Sequence, residues 1–266
     1  MDQRRMCPNC RAFITTHDKV CPYCNERVGA RAVERREPGA ILGGFIPHAR
    51  FVTMIILTMN LGLYLATLVS QDGGIYDAGA KDRADILIRG EWWRLVTAGF
   101  LHGGLLHIAM NSWVLFDLGA QVEEVYGASR MTVVYFLGTA FGFLLSALFV
   151  NAPSVGASAG IMGLLGAMIA LGVRNRHTSA GAAMRGMYIR WAVYVLILGV
   201  VPIFHIDNAA HIGGLAAGFG VAWLAGTPRI ATAPGERLWG VAAVACAGIT
   251  AVCFLKMYLW FSIATQ

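Results

Sequence analysis

Long apolar blocks separated by short polar connections run through most of the chain. They occupy about 51–70, 101–120, 131–150, 157–173, 188–204, 209–226 and 238–263. A helix needs about 20 mainly apolar residues to cross the hydrocarbon core of a bilayer. Lipid-exposed strand edges cannot satisfy their backbone hydrogen bonds there, so helices are the expected element. The pattern predicts an all-α polytopic membrane protein with seven spans, in which the short Gly/Ala-rich fourth and sixth blocks pack against protein.

Composition supports this interpretation, because 57% of the 266 residues are hydrophobic and only 14% are charged. A soluble domain of this size carries roughly a quarter charged residues. The net charge of +6 comes from basic residues between apolar blocks and near the N-terminus. They do not form one basic face, so the lipid bilayer is the expected partner and nucleic acid is not. The polar start, MDQRRMCPNC, lacks the apolar core of a cleavable signal peptide.

The placement of Lys and Arg predicts the orientation in a cell membrane. Three regions rich in Arg fall on one side of the seven predicted spans: the N-terminal segment, the fourth-to-fifth loop with Arg174, Arg176, Arg185 and Arg190, and the sixth-to-seventh loop. The connections 151–156 and 205–208 on the other side have no Lys or Arg. Segment 71–100 is an exception, but acidic residues balance its basic ones. We expect a cytoplasmic N-terminus and an outer C-terminus.

Polar residues that are candidates for function stand at the heads of the second, fourth and sixth predicted helices, which all run inward from the outer side. They are His102, His107, Asn111, Ser158 and His211. Polar and ionisable groups within a membrane are candidates for function by default. We therefore expect these side chains to lie at similar depth near the outer leaflet, with Gly103 and Gly104 beside a route for water.

A serine is a poor nucleophile without a neighbouring base. Ser158 lies in the glycine-rich segment VGASAGIMGLLGA, and the helix face below His211 continues through Gly214 and Gly218. Small residues of this kind let two helices approach until a hydroxyl meets an imidazole. The one carboxylate near the histidine is Asp207, four residues earlier at the rim. This arrangement favours a Ser–His dyad over a triad.

Acyl transfer also needs donors for the oxyanion. His107 and Asn111 are four residues apart and share one helix face, so they can form this hole with the backbone N–H of Ser158. A serine in such a helix often only bonds back to a carbonyl, and the conjunction of all four residues favours catalysis. The string G-A-S-A-G also matches the nucleophile elbow of α/β-hydrolases, but no strand precedes it.

These residues resemble the motifs of the rhomboid family of intramembrane proteases. The ordered matches, which cover roughly residues 50–226, are Trp93-Arg94, the H-x4-H-x3-N set of His102, His107 and Asn111, the G-x3-E-x3-G set of Gly119, Glu123 and Gly127, the G-x-S set ending at Ser158, and the A-H-x-G-G set from Ala210 to Gly214. The resemblance implies a six-helix protease core with one added C-terminal helix. It also implies a structural loop at Trp93-Arg94 and a structural role for Glu123.

The resemblance further implies that Ser158 is the nucleophile and His211 the general base, with His107 and Asn111 in the oxyanion hole. The expected activity is serine endopeptidase cleavage of transmembrane segments in membrane-protein substrates, without a catalytic cofactor. Two positions depart from the family pattern: Ala159 replaces the common glycine, and Met162 replaces an aromatic residue that stacks on the catalytic histidine.

Two other functions remain to be weighed. A non-catalytic rhomboid-fold binder of membrane proteins is one, although inactive relatives typically lack the serine or the histidine. A transporter or channel is the other, but paired mid-membrane carboxylates and an inverted repeat are missing.

The predicted organisation is a zinc-ribbon-like module at 1–30, a linker at 31–50, the rhomboid core at 51–226, and a loop with the seventh helix at 227–266.

The module at the N-terminus contains two C-x2-C pairs, formed by Cys7, Cys10, Cys21 and Cys24. Four thiolates with this spacing predict one tetrahedral structural Zn²⁺. The alternatives are a redox or disulfide pair, which a reducing cytoplasm disfavours, and substitution of one ligand by His17. Two further cysteines, Cys246 and Cys253, lie in an apolar block and are expected to pack as small residues.

Overall fold

The computed structural model describes residues 4–7, 9–10, 12–15, 18–28, 50–70, 74–204, 206–227 and 234–264. The chain forms two units, an N-terminal one and a helical one, and each is described by itself. The predicted linker at 31–50 lies outside the described residues except for Arg50, and His17 lies outside them as well.

The N-terminal unit is built on a small hairpin. Strand β1 (Arg4–Met6) pairs antiparallel with β2 (Phe13–Thr15), with Met6 opposite Phe13. An isolated bridge then joins Val20 to Arg27. The buried apolar cluster of this unit consists of Cys7, Ile14, Cys21 and Val28. A core this small rarely holds a fold by itself, so the cysteines are central to its stability.

Among its described residues, the second unit is built of helices joined by turns and loops, with one isolated bridge between Lys81 and Ser154. Its helices are α1 (Phe51–Ser70), α2 (Gly74–Gly79), α3 (Arg83–Leu87), α4 (Arg94–Thr97), α5 (Leu105–Phe149), α6 (Ser158–Arg174), α7 (Ser179–Leu198), α8 (Asn208–Ala225) and α9 (Pro234–Ala264). Gly127, with φ 77° and ψ 162°, interrupts α5 and separates the second predicted helix from the third. The long helices therefore correspond to the seven apolar blocks.

Three of these helices are long and apolar enough to cross a membrane. They are Phe51–Ser70, Leu105–Phe149 and Gly235–Ile263, and the apolar helix Ser158–Arg174 is shorter. Helix α7 begins at Ser179, nine residues before the predicted block, where the Thr178 side chain accepts a bond from the Gly181 N–H. Arg185 and Arg190 consequently lie inside α7, and the prediction that placed them in the preceding loop was wrong.

Helix α6 occupies the centre of the helical unit. Every residue from Ala159 to Gly172 is buried, because α5, α7 and α8 all pack against it. This agrees with the central position that its Gly/Ala-rich sequence predicted.

The start of α1 is held by an acidic side chain from the middle of α5. Glu123, only 4% exposed, accepts bonds from the N–H groups of Val52 (2.9 Å) and Thr53 (3.1 Å) and from the Thr53 hydroxyl (2.9 Å). The first N–H groups of a helix have no intrahelical partner, so this carboxylate satisfies two of them. Glu123 thus has the structural role that the family resemblance implied.

Residues 74–100 fold around the guanidinium group of Arg94, which is 1% exposed. It pairs with Glu91 at 2.6 Å and Asp85 at 3.0 Å and donates to the Ala80 carbonyl at 3.0 Å. Arg89 pairs with the same Asp85. The basic residues that disturbed the charge pattern are therefore largely bonded within the fold.

Helix α9 packs along this segment. The indole N–H of Trp260 donates to Glu91 at 3.1 Å, and its ring lies 5.4 Å from the Arg94 guanidinium carbon. Near the other end of α9, Glu236 makes two bonds, of 2.6 and 2.8 Å, with Arg130 of α5. The seventh helix is thus tied to the core at both ends.

Candidate active site

Glycines on the facing sides of α6 and α8 bring the two backbones into contact. A Cβ atom added at Gly218 would lie 1.9 Å from the carbonyl oxygen of Gly163, and one added at Gly166 would lie 2.2 Å from that of Leu215. Both distances are below the 3.0 Å that real Cβ atoms essentially always keep. Only glycine fits at these two positions, and the packing leaves no room for adjustment.

The same contact reaches the first turns of both helices. A Cβ atom at Gly214 would lie 2.1 Å from the carbonyl oxygen of Ala159. Ser158 precedes Ala159 as the first residue of α6, and His211 stands three positions before Gly214 in the first turn of α8. The two residues predicted to form the dyad therefore belong to adjoining helix ends.

Ala159 fills a small closed space between helices. It is fully buried and packs with Ala98, Phe143 and Ala210. Its methyl group lies 2.9 Å from the position that a Cβ at Gly142 would take, so alanine at one site is matched by glycine at the other. The departure from the family pattern at this position is accommodated by the fold.

His211 is buried, with 4% of its surface exposed, and its Nδ1 atom has no hydrogen-bond partner among the described residues. The Asp207 carboxylate is engaged elsewhere: it accepts the Ala210 N–H at 3.0 Å and the Ser154 hydroxyl at 2.6 Å. The carboxylate that lies four residues before His211 in the sequence therefore does not bond to the imidazole Nδ1.

The backbone two residues before Ser158 is covered by the polar face of α5. Gly156 has φ +133°, a conformation that favours glycine, and a Cβ there would lie 2.7 Å from His107 Nε2 and 3.5 Å from Asn111 Nδ2. The Asn111 Nδ2 atom is buried without a hydrogen-bond partner among the described residues. His107 and Asn111 therefore line the approach to Ser158, with one amide donor uncommitted.

His102 lies deeper than the sequence indicated. It is 3% exposed, its Nε2 accepts from the Ala157 N–H at 3.5 Å, and its ring stands 5.1 Å from that of His107. Its ring therefore packs against the segment before Ser158 and is closed off from the surface. Gly103 and Gly104 do face open space, since a Cβ at either would meet nothing within 4 Å.

Met162 stands four residues after Ser158 and is 2% exposed within the main apolar cluster. Its packing on the His211 ring stays a prediction.

The four cysteines of the N-terminal unit form a cluster in which all sulfur atoms lie within 4.8 Å of one another. Two separations, Cys7 to Cys24 and Cys10 to Cys21, are 3.6 Å, and all four are free thiols. A tetrahedral Zn²⁺ with Zn–S bonds of about 2.3 Å requires sulfur atoms about 3.8 Å apart. The cluster therefore offers four sulfur ligands close enough together to hold a metal ion.

The backbone also favours a thiolate in this cluster. The N–H of Cys10, followed by that of Asn9, stabilises the anionic sulfur of Cys7 and lowers its pKa to about 7. The pKa of Cys10 moves in the opposite direction: its backbone bond with Ala12 lowers the pKa, but burial and the neighbouring cysteines raise it to about 12. Metal ligation requires the deprotonated form, which this environment favours at Cys7 and not at Cys10.

The sequence of the helical unit is similar to that of known proteins. The model of the Rhomboid domain family matches residues 89–228. Rhomboid protease GluP of Bacillus subtilis (strain 168) is 37% identical over 193 residues, which cover 70% of this chain and 37% of that protein. RHOMBOID-like protein 6, mitochondrial, of Arabidopsis thaliana is 37% identical over 144 residues, 53% of this chain and 46% of that protein.

Another relative carries a different description. Inactive RHOMBOID-like protein 8 of Arabidopsis thaliana is 38% identical over 127 residues, 47% of this chain and 35% of that protein. The matched part thus spans between about a third and a half of the length of these relatives. Because the family model covers more than half of the sequence, the chain belongs to the rhomboid family.

Proposed function

We propose that this protein is an intramembrane serine endopeptidase that cleaves transmembrane segments of other membrane proteins with a Ser158–His211 dyad. The observation that carries the proposal is the backbone contact of α6 with α8, which extends to Ala159 and Gly214 beside the two residues. The similarity to a rhomboid protease supports the same activity. The bilayer of a cell membrane would be its site of action.

The chemistry follows from the residues at the helix ends. The Ser158 hydroxyl attacks the scissile carbonyl, and His211 takes the hydroxyl proton and then delivers it to the leaving amine. Water, activated by the same histidine, hydrolyses the acyl-enzyme. Because Ser158 begins α6, its N–H has no intrahelical partner and is available to the oxyanion. The Asn111 amide and the His107 ring supply the remaining donors.

Cleavage of a single-span substrate tests this function. Purified protein in liposomes should cut the substrate, and both Ser158→Ala and His211→Ala should abolish the cut. Ser262→Ala is the matched control, because that exposed hydroxyl bonds to the Tyr258 carbonyl within its own helix, α9. Unchanged cleavage by Ser158→Ala would remove the basis of the assignment.

A non-catalytic binder on the same fold is the second candidate, favoured by the similarity to a relative described as inactive. Such a binder would capture a single-span protein and release it intact, with equal affinity in wild-type and Ser158→Ala protein. Ser158 and His211 are both present in this chain, which favours the enzyme.

For the N-terminal unit we propose one structural Zn²⁺ bound by Cys7, Cys10, Cys21 and Cys24. Metal analysis of the purified chain should give one zinc per molecule. Cys21→Ser should lower that content and expose the unit to proteolysis, whereas Cys246→Ser, in α9, should change neither. Full zinc content in Cys21→Ser would contradict the assignment.

We also propose that the N-terminus is cytoplasmic and the C-terminus is on the outer side. This orientation places Lys81, Arg89 and Arg94 on the outer side, where basic residues are otherwise scarce. Lys81 and Arg94 are buried, and Arg89 and Arg94 form ion pairs, so these cations do not oppose the orientation. A single cysteine placed at either end should react with an impermeant maleimide in intact cells only at the C-terminus. The opposite pattern would reverse the orientation.

A further inference from the structure

The segment that leads into Ser158 is fixed by bonds from segment 71–100. Ser154 pairs with Lys81 in a short antiparallel bridge, with both N–H to O distances at 3.0 Å. The Lys81 ammonium group, which is fully buried, donates to the carbonyls of Val150 at 2.7 Å and Ala152 at 2.9 Å. This side of the segment is therefore held along most of its length.

The other side of the segment is held by one carboxylate. Asp207 Oδ2 accepts the Ser154 hydroxyl at 2.6 Å and also the hydroxyl of Ser146, near the end of α5. Its Oδ1 accepts the Ala210 N–H at 3.0 Å and so caps α8. One side chain thus joins the end of α5, the approach to Ser158 and the first turn of the helix that carries His211.

The Lys81 ammonium group, which bonds to the segment before Ser158, also interacts electrostatically with Asp207. Burial lowers the pKa of the Lys81 ammonium group, and the nearby negative charge of Asp207 opposes that shift. Three donors, the hydroxyls of Ser146 and Ser154 and the N–H of Ala210, thus converge on the Asp207 side chain.

We propose that Asp207 is a positioning residue that sets the distance between Ser158 and His211 by bonding simultaneously to Ser154 and to the first turn of α8. This inference rests on the proposed proteolytic function. Asp207 acts through the backbone segments that hold the two residues, and not through the imidazole, whose Nδ1 has no partner among the described residues. It therefore differs from the carboxylate of a catalytic triad, which bonds directly to the histidine.

The hydrogen bond between Ser154 and Asp207 can be removed while Asp207 still caps α8. Ser154→Ala deletes the bond to the segment and leaves Asp207 bonded to Ala210, whereas Ser154→Thr retains a hydroxyl. Loss of one bond to a charged acceptor should lower kcat about tenfold, because a displaced nucleophile reacts more slowly once substrate is bound. KM should stay within about twofold, since no residue of the substrate site is altered.

The experiment compares kcat, KM and the midpoint of thermal unfolding for wild type, Ser154→Ala, Ser154→Thr and the control Ser262→Ala. We expect the loss of kcat in Ser154→Ala, its recovery in Ser154→Thr and no change in Ser262→Ala. Asp207→Asn should lower kcat at least as much as Ser154→Ala, because the amide also weakens the bonds to Ser146 and Ala210.

Three results would overturn the proposal: full kcat in Ser154→Ala, no recovery in Ser154→Thr, or a loss that resides in KM alone. Each of them, obtained with a wild type that cleaves substrate and a Ser158→Ala variant that does not, leaves the proteolytic function intact. If instead wild type and Ser158→Ala are equally inert, the proposed function fails and the positioning role fails with it.

Discussion

Replacement of Gly218 by alanine tests the contact on which the active site depends. The new Cβ would stand 1.9 Å from the Gly163 carbonyl oxygen and 2.5 Å from its Cα, where at least 3.0 Å is needed. Neither neighbour is a flexible side chain, so the backbones of α6 and α8 must separate by about 1 Å.

Two effects of this separation can be estimated. Overpacking of a tight interface costs about 1–3 kcal/mol of stability. A displacement of about 1 Å between reacting groups lowers the rate about 100-fold. The shift arises close to two turns below His211, so kcat/KM should fall far more than the folded fraction does.

The assay measures kcat/KM on a single-span substrate in liposomes together with the midpoint of thermal unfolding. Gly220→Ala is the matched control on the same helix, because a Cβ there meets nothing within 4 Å. Alanine is a better helix former than glycine by about 1 kcal/mol, so the control should be neutral or slightly stabilised. If Gly218→Ala is as active and as stable as Gly220→Ala, the contact between α6 and α8 does not set the site.

Two further predictions concern the scaffold. Glu123→Gln leaves a single acceptor oxygen for three donors at the start of α1 and should cost about 1–3 kcal/mol of stability; thermal unfolding measures this, and the exposed Glu124→Gln should unfold like wild type. Trp260→Phe removes the N–H bond to Glu91 and should speed amide hydrogen exchange in segment 77–94, whereas Tyr258→Phe, at a 65% exposed position, should not. Equal exchange in these two variants would show that α9 does not hold that segment.

Hydrophobic blocks were sufficient to predict the long helices. The first block, 51–70, has the same ends as α1, and the central position of α6 followed from its glycines and alanines. The start of α7 was missed because Arg185 lies in its first half, ahead of the apolar block that begins at residue 188. Apolar content defines the part of a helix that lies in lipid, and α7 extends beyond it.

The short helices between α1 and α5 could not be predicted from the pattern of apolar and polar residues. Helices α2, α3 and α4 have only four to six residues each, too few to be stable alone. They are held by bonds between distant parts of the chain, such as the one from Arg94 to the carbonyl of Ala80. Only the folded chain brings these donors and acceptors together.

The residues of the candidate site could be predicted from the sequence, but some of the bonds between them could not. Ser158, His107, Asn111 and His211 stood out because polar groups at the heads of membrane helices are rare. Asp207 was singled out as well, but only as the carboxylate near the histidine in the sequence. Its bond to Ser154 joins residues 53 positions apart, and no local spacing predicts that partner.

The most direct test of the Ser158–His211 dyad is to map where a fluorophosphonate, a probe that labels activated serines, reacts with the protein. Mass-spectrometric mapping should find the adduct on Ser158 in the wild type and none in His211→Ala, because the hydroxyl is a poor nucleophile without its base. An adduct on Ser158 that forms equally fast without His211, or no adduct there in protein that cleaves substrate, would contradict the Ser158–His211 dyad.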